Sequence, residues 1–227
     1  MTLKIYGIGP SRAARPIWTA LELGVPFDLI STPYAGGATR TPEFLAINPN
    51  GHIPVLIDER AEGAITVWES MACALYIARV HGKADGQTIA PATPREEAEA
   101  LRWSFWTVSE LEADALTVLM HRMAMPEDQR KPELADKAES RLKVPLAVLE
   151  KHLQAQHAKG EGIVATVMAI VAAVAGFSLR CRSNRRQGDC GREKSVLREF
   201  HHDVCSSALA NHWPVLAVRA TGDDRNL

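Results

Sequence analysis

The stretch from Asn48 to Trp68 constrains this chain more than any other. Asn48-Pro49-Asn50-Gly51 is a dense turn signal. Ile53-Pro54-Val55-Leu56-Ile57 and Ala64 to Trp68 follow as two short strands, separated by the polar run Asp58 to Gly63, and together predict an antiparallel hairpin. Upstream, Leu3 to Tyr6 reads as a strand. Ser11 is a good N-cap, and Ala13, Ala14, Ile17, Trp18, Ala20, Leu21 and Leu23 give a helical apolar pattern that Gly24 closes. Pro16 predicts a slight bend in that helix. Phe27 to Ser31 is a second strand. Thr41-Pro42-Glu43 starts a short helix with a capping hydroxyl, a first-turn proline and an acid. A third helix opens at Glu69, runs through Val80 and ends before Gly82. The order β-α-β-α-β-β-α predicts a small α/β sheet with helices on both faces.

After Thr93 the pattern is helical. Thr93-Pro94-Arg95-Glu96 starts a long helix carrying Leu101, Phe105, Val108, Leu111 and Leu116. Pro126 breaks it, and Pro132 to Gln156 gives another with Leu142, Leu146, Leu149 and Leu153. The predicted organisation is an α/β domain over residues 1–83, a linker over 84–93, the start of an all-α domain over 94–157, and a divergent tail over 158–227.

Bulk properties exclude several classes. The chain has 227 residues and a formal net charge of −1, so no global field points to nucleic acid or an anionic membrane as partner. Its most apolar stretch, Ile163 to Phe177, is shorter than the roughly 20 residues a membrane span needs. The start lacks the charged-then-apolar layout of a signal peptide. Cys73, Cys181, Cys190 and Cys205 form no CxxC pair and show no metal-ligand spacing, so a reduced cytoplasmic protein without metal is expected.

Asn48-Pro-Asn-Gly-His-Ile-Pro-Val-Leu56, Trp68-Glu-Ser-Met-Ala72 and Tyr76-Ile-Ala78, in this order and spacing, closely resemble the glutathione site of glutathione transferases. Tyr6 to Arg15, with Ser11 at the first helix start, resembles their bacterial, serine-type members. The resemblance implies a thioredoxin-like N-terminal domain followed by an all-α C-terminal domain. It also implies a homodimer, a detoxification role, and glutathione as co-substrate for a hydrophobic electrophile.

The same resemblance distributes roles among residues. Ser11 activates the thiol, with Tyr6 as the competitor. Ile53-Pro54 is the family's cis-proline turn, leaving an Ile53 backbone edge that pairs with the cysteinyl part of the peptide. Ser70 holds the γ-glutamyl carboxylate, Glu69 its ammonium, and His52 lies near the glycyl carboxylate. Trp106 and His121 are candidates for the electrophile pocket on the helical domain.

Elementary chemistry supports a serine at that place. A thiol of pKa about 8.5–9 is mostly protonated at neutral pH. Lowering it by about two units takes roughly 2.7 kcal/mol. A charge-assisted hydrogen bond of ~1.5–3 kcal/mol and a helix-dipole contribution of ~0.3–1 kcal/mol reach that range. A glutathione-dependent isomerase or dehalogenase would share this thiolate, whereas a non-catalytic glutathione-binding remnant would not use it.

The tail departs from the family. The capped helix expected there is missing. In its place, Arg180-Cys-Arg-Ser-Asn-Arg-Arg-Gln-Gly-Asp-Cys190 follows an alanine- and valine-rich run. Back-translated with suitable codons and read one base later, Arg180 to Gly191 gives Ala-Ala-Asp-Leu-Thr-Val-Ala-Lys-Val-Ile-Ala, which resembles the missing helix. An out-of-frame tail from about residue 158 is therefore expected, the alternative being a genuine divergent tail whose arginines form a solvated face. The coding DNA across it settles the question.

Overall fold

The computed structural model describes residues 2–82 and 89–158, with side chains to residue 155. The expectation of an out-of-frame tail lies outside the described residues. Two compact units are present, one ending at Ala92 and the other beginning at Thr93.

The first unit is a thioredoxin-like domain. Its elements are β1 (Thr2–Gly7), α1 (Ala14–Glu22), β2 (Asp28–Ser31), α2 (Pro42–Ile47), β3 (Val55–Arg60), β4 (Gly63–Trp68) and α3 (Ser70–His81). The sheet order is β2-β1-β3-β4, with β1 parallel to β2 and antiparallel to β3, and β3 antiparallel to β4. Alternation in β1 buries Leu3 and Ile5 on one face, where they join Ala13, Ile17 and Ala20 of the first helical segment, Leu56 of β3, and Cys73 and Ile77 of α3. Tyr6 points the other way. Its ring meets Phe44 of α2 edge-on, with centroids 6.4 Å apart.

Three local readings need correction. The hairpin turn is Ala61-Glu62, not the whole run from Asp58 to Gly63, because β3 continues to Arg60. Its polar residues are accommodated: Lys4 Nζ donates to Glu59 at 2.6 Å, and the buried Asp58 carboxylate accepts from the Tyr76 hydroxyl at 2.8 Å, with His81 Nε2 3.0 Å away. Second, α-helical residues begin at Ala14, and the cap position is Ala13 instead of Ser11. Pro16 explains this. It has no N–H for the Arg12 carbonyl, which takes the Arg15 N–H at 3.2 Å, just as the Ser11 carbonyl takes that of Ala14 at 3.0 Å. The segment therefore enters as a tight i→i+3 turn before relaxing into the α-helix. Third, Glu69 is the cap of α3 and lies outside the helix, which starts at Ser70.

Among the described residues, the second unit holds α4 (Pro94–Trp106), α5 (Glu112–Leu119) and α6 (Pro132–Ala158). Thr93 and Glu96 form a reciprocal capping box at the start of α4. Short π-helical turns at Thr107–Leu111 and Met120–Ala124 flank α5, a feature that the apolar periodicity does not show. Leu111, Val118, Ala138 and Leu142 make its core.

Candidate functional site

Sheet register decides which loops meet. Tyr6 pairs with Val55, and Val55 pairs with Trp68. The segment after β1, the one before β3 and the one after β4 therefore leave the sheet at the same end. Gly7 confirms the closeness: a Cβ there would lie 2.5 Å from the Ala13 Cβ and 3.8 Å from the Ile53 Cβ. The Ser11 turn, Ile53-Pro54 and Glu69-Ser70 form one neighbourhood.

Each segment is built by its own hydrogen bonds. The half-buried Ser11 donates its hydroxyl to the Ile8 carbonyl at 2.7 Å and accepts the Ala13 N–H at 3.1 Å, so it caps the entering turn. The Ile53–Pro54 peptide is cis. Buried Asn48 organises the loop before it: Nδ2 donates to the His52 carbonyl at 2.7 Å, and Oδ1 accepts the Asn50 N–H at 3.0 Å. The His52 ring is left exposed.

Gly51 has φ +62, and a Cβ there would approach the Thr39 carbonyl to 2.9 Å. Gly51→Ala is thus expected to lose about 1–2 kcal/mol of stability, read by chemical denaturation, because a left-handed alanine is strained even before that contact. An unchanged denaturation midpoint would contradict this reading.

Glu69 has φ 72, the one positive φ outside glycine among the described residues. Its carboxylate makes no capping hydrogen bond and its side chain is exposed. Backbone strain of this kind, about 1–3 kcal/mol, persists where the surrounding structure fixes it, commonly at binding sites. Next to it, Ser70 is only 4% exposed, and its Oγ accepts from Arg15 Nη1 at 2.7 Å.

Two basic residues escaped the sequence reading. Arg15 is an inward-facing guanidinium, 3% exposed, on the same helix as the apolar stripe. The exposed Arg40 donates Nη1 to the Asn50 carbonyl at 3.3 Å, beside the His52 loop. Arg40 lies in no motif, and Arg15, though it ends the Tyr6 to Arg15 segment, has no role assigned there; it could have been suspected from its place beside the buried Ala13, Pro16 and Ile17 positions.

The remaining candidates have packing partners. Tyr6 lies against Phe44. In the second unit Trp106 packs on the Leu111–Leu142 cluster and meets Trp103 edge-on at 4.9 Å, while His121 Nδ1 accepts the Lys131 N–H at 3.2 Å.

Cys73 is fully buried, and its Sγ donates to the Val67 carbonyl at 3.4 Å. Burial, ahead of any nearby charge, pushes this thiol up to about 12. At pH 8 only about one molecule in ten thousand would carry its thiolate, the reactive form. The Cys73 peptide should therefore stay unalkylated by iodoacetamide in the native protein and become labelled in denaturant; mass spectrometric detection of rapid native labelling would contradict this. Among the described residues, no group of three His, Cys, Asp or Glu is placed to hold a metal ion, and no helix is long and apolar enough to cross a membrane.

Residues 1–79 match the family described as glutathione S-transferase, N-terminal domain. It is this N-terminal domain, rather than the whole chain, that is matched to glutathione S-transferases. Glutathione S-transferase GstB of Escherichia coli is 28% identical over 152 residues, spanning 66% of this chain and 71% of that one. Protein URE2 of Candida maltosa is 35% identical over 89 residues, covering 39% of this chain. The chain spans only about a quarter of that relative, 27% of its length. Among solved structures, the theta class glutathione S-transferase of Xanthomonas axonopodis pv. citri, with glutathione bound, superposes with a TM-score of 0.71 at 25% identity. That match covers 91% of this chain and 93% of the other. The glutathione S-transferase fold thus accounts for the convergence of the three loops.

Proposed function

We propose that this chain is a glutathione transferase, conjugating the glutathione thiolate to a hydrophobic electrophile. The observation that carries the reading is the shared edge built by Tyr6, Val55 and Trp68, which gathers Ser11, Ile53-Pro54 and Glu69-Ser70 within one N-terminal unit. The Ile53 backbone pairs with the cysteinyl residue as an added strand would. Ser70 takes the γ-glutamyl carboxylate and Glu69 its ammonium. His52 and Arg40, on adjoining loops, supply cationic and polar groups for the glycyl carboxylate. The reaction forms a carbon–sulfur bond to the electrophile and expels its leaving group, with the thiol proton passed to solvent.

Ser11 supplies the hydrogen bond that stabilises the thiolate. Its O–H turns from the Ile8 carbonyl to the sulfur. The protein works as a cytoplasmic homodimer in detoxification.

A binding-only reading has one specific observation in its favour. The Ser11 hydroxyl is committed to the Ile8 carbonyl. Retention on immobilised glutathione together with turnover of a chloro-nitroaromatic supports the transferase; retention without turnover supports the binding protein. Absence of retention removes both.

A further inference from the structure

We infer that Arg15 is a positioning residue that polarises and aims the Ser70 hydroxyl, so that the site selects its ligand by the α-carboxylate of the γ-glutamyl group. The inference rests on the glutathione reading above and concerns how the peptide's head is recognised.

Arg15 and Ser70 stand 55 residues apart, on α1 and at the first position of α3, yet Arg15 Nη1 donates to Ser70 Oγ at 2.7 Å, and both residues are more than nine-tenths buried. A hydroxyl carries one hydrogen and two lone pairs. With a guanidinium fixed on a lone pair, the Ser70 hydrogen is left to donate, and the Ser70 side chain makes no other hydrogen bond among the described residues. An arginine cannot accept that hydrogen. The positive charge behind the oxygen makes the O–H a stronger donor, as in other chains of hydrogen bonds in a low-dielectric interior.

The direction of the donor also follows. Ser70 heads a twelve-residue helix whose first N–H groups have no partner within it, so an anion accepting the hydroxyl hydrogen is met by these groups as well. Immediately before Ser70, Glu69 projects an exposed carboxylate that is not spent on capping. An anion receiver beside a cation receiver matches an α-amino acid head, whose ammonium and carboxylate share one carbon. The buried charge is therefore read by the ligand through a hydroxyl rather than by direct contact. This arrangement keeps the guanidinium away from water while still selecting for a carboxylate.

The test is calorimetric titration of the full chain with glutathione and with its analogue lacking the α-carboxylate, 4-aminobutyryl-cysteinylglycine. The native protein should prefer glutathione, and Arg15→Met should reduce that preference by about ten- to a hundredfold, the range of a charge-assisted hydrogen bond. Affinity for the analogue should change far less. An equal weakening of both ligands would show that Arg15 serves the fold alone and overturn the inference, as would an unchanged preference. Native protein that binds both ligands equally also overturns it while leaving the glutathione reading intact. Native protein that binds neither refutes the parent reading instead. If Arg15→Met cannot be recovered folded, Ser70→Ala decides: loss of the preference supports the relay, and full retention overturns it.

Discussion

On the proposed mechanism, Ser11→Ala is expected to lower turnover of a chloro-nitroaromatic at about pH 6.5 by roughly ten- to a hundredfold, with glutathione still retained, because the substitution would remove one charge-assisted hydrogen bond to the sulfur. The sign of the pH dependence discriminates among causes. In the proposed mechanism glutathione reacts as thiolate, and the Ser11 hydrogen bond would hold the bound thiol's pKa below its solution value. Without it the pKa returns upward. At a pH below both values, the variant's deficit is the full difference in thiolate fraction. As pH rises past the variant's pKa, both enzymes hold thiolate and the deficit shrinks toward nothing. The pH–rate profile on the acid side should therefore move upward by about one to two units. A deficit that persists at about pH 9.5 would mean that Ser11 acts otherwise than on thiol ionisation. Full activity at every pH would remove Ser11 from the mechanism.

Ile77→Ala should lower the stability of the N-terminal unit by about 2–5 kcal/mol. Ile77 is wholly buried on the inner face of α3, in the cluster with Leu3, Ile5, Ile17 and Leu56. The alanine leaves a cavity among β1, β3 and α1 that rigid strands cannot close. Domains commonly hold about 5–15 kcal/mol in all, so the loss is a large share of the total. Urea unfolding followed by tryptophan fluorescence should show a midpoint lower by at least about 0.7 M, given a slope of about 1–3 kcal/mol/M. Because α3 begins at Ser70, saturating glutathione should recover part of that loss by mass action. A shift below about 1 kcal/mol would mean that the cluster around Ile77 repacks freely.

Much of this architecture was legible wherever one residue type has one local use. Thr41-Pro42-Glu43 and Thr93-Pro94-Arg95-Glu96 cap helices as predicted, since a hydroxyl before a proline and an acid leaves the backbone few alternatives. Asp58 to Arg60 misled because strand-forming polar residues look like loop unless their partners are known, and Tyr76, His81 and Lys4 are distant in sequence. The start of α1 was misplaced because Pro16 acts one turn upstream, through the Arg12 carbonyl.

At the site, the motif residues of the cis-proline loop and the α3 start could be named in advance, but their physical state could not. The positive φ of Glu69 is a backbone property with no glycine to announce it. Arg15 reads as an ordinary helical arginine until Ser70 is brought against it. A charge near an apolar stripe is normally solvated, and only the tertiary pairing reverses that expectation.

The most direct test of the glutathione reading is calorimetric titration of glutathione into the full chain near neutral pH, repeated in two buffers of different ionisation heat. The account predicts saturable uptake accompanied by release of roughly half to three-quarters of a proton, because the thiol ionises as it meets Ser11. Heats that show no uptake, or uptake with no proton released in either buffer, would contradict it.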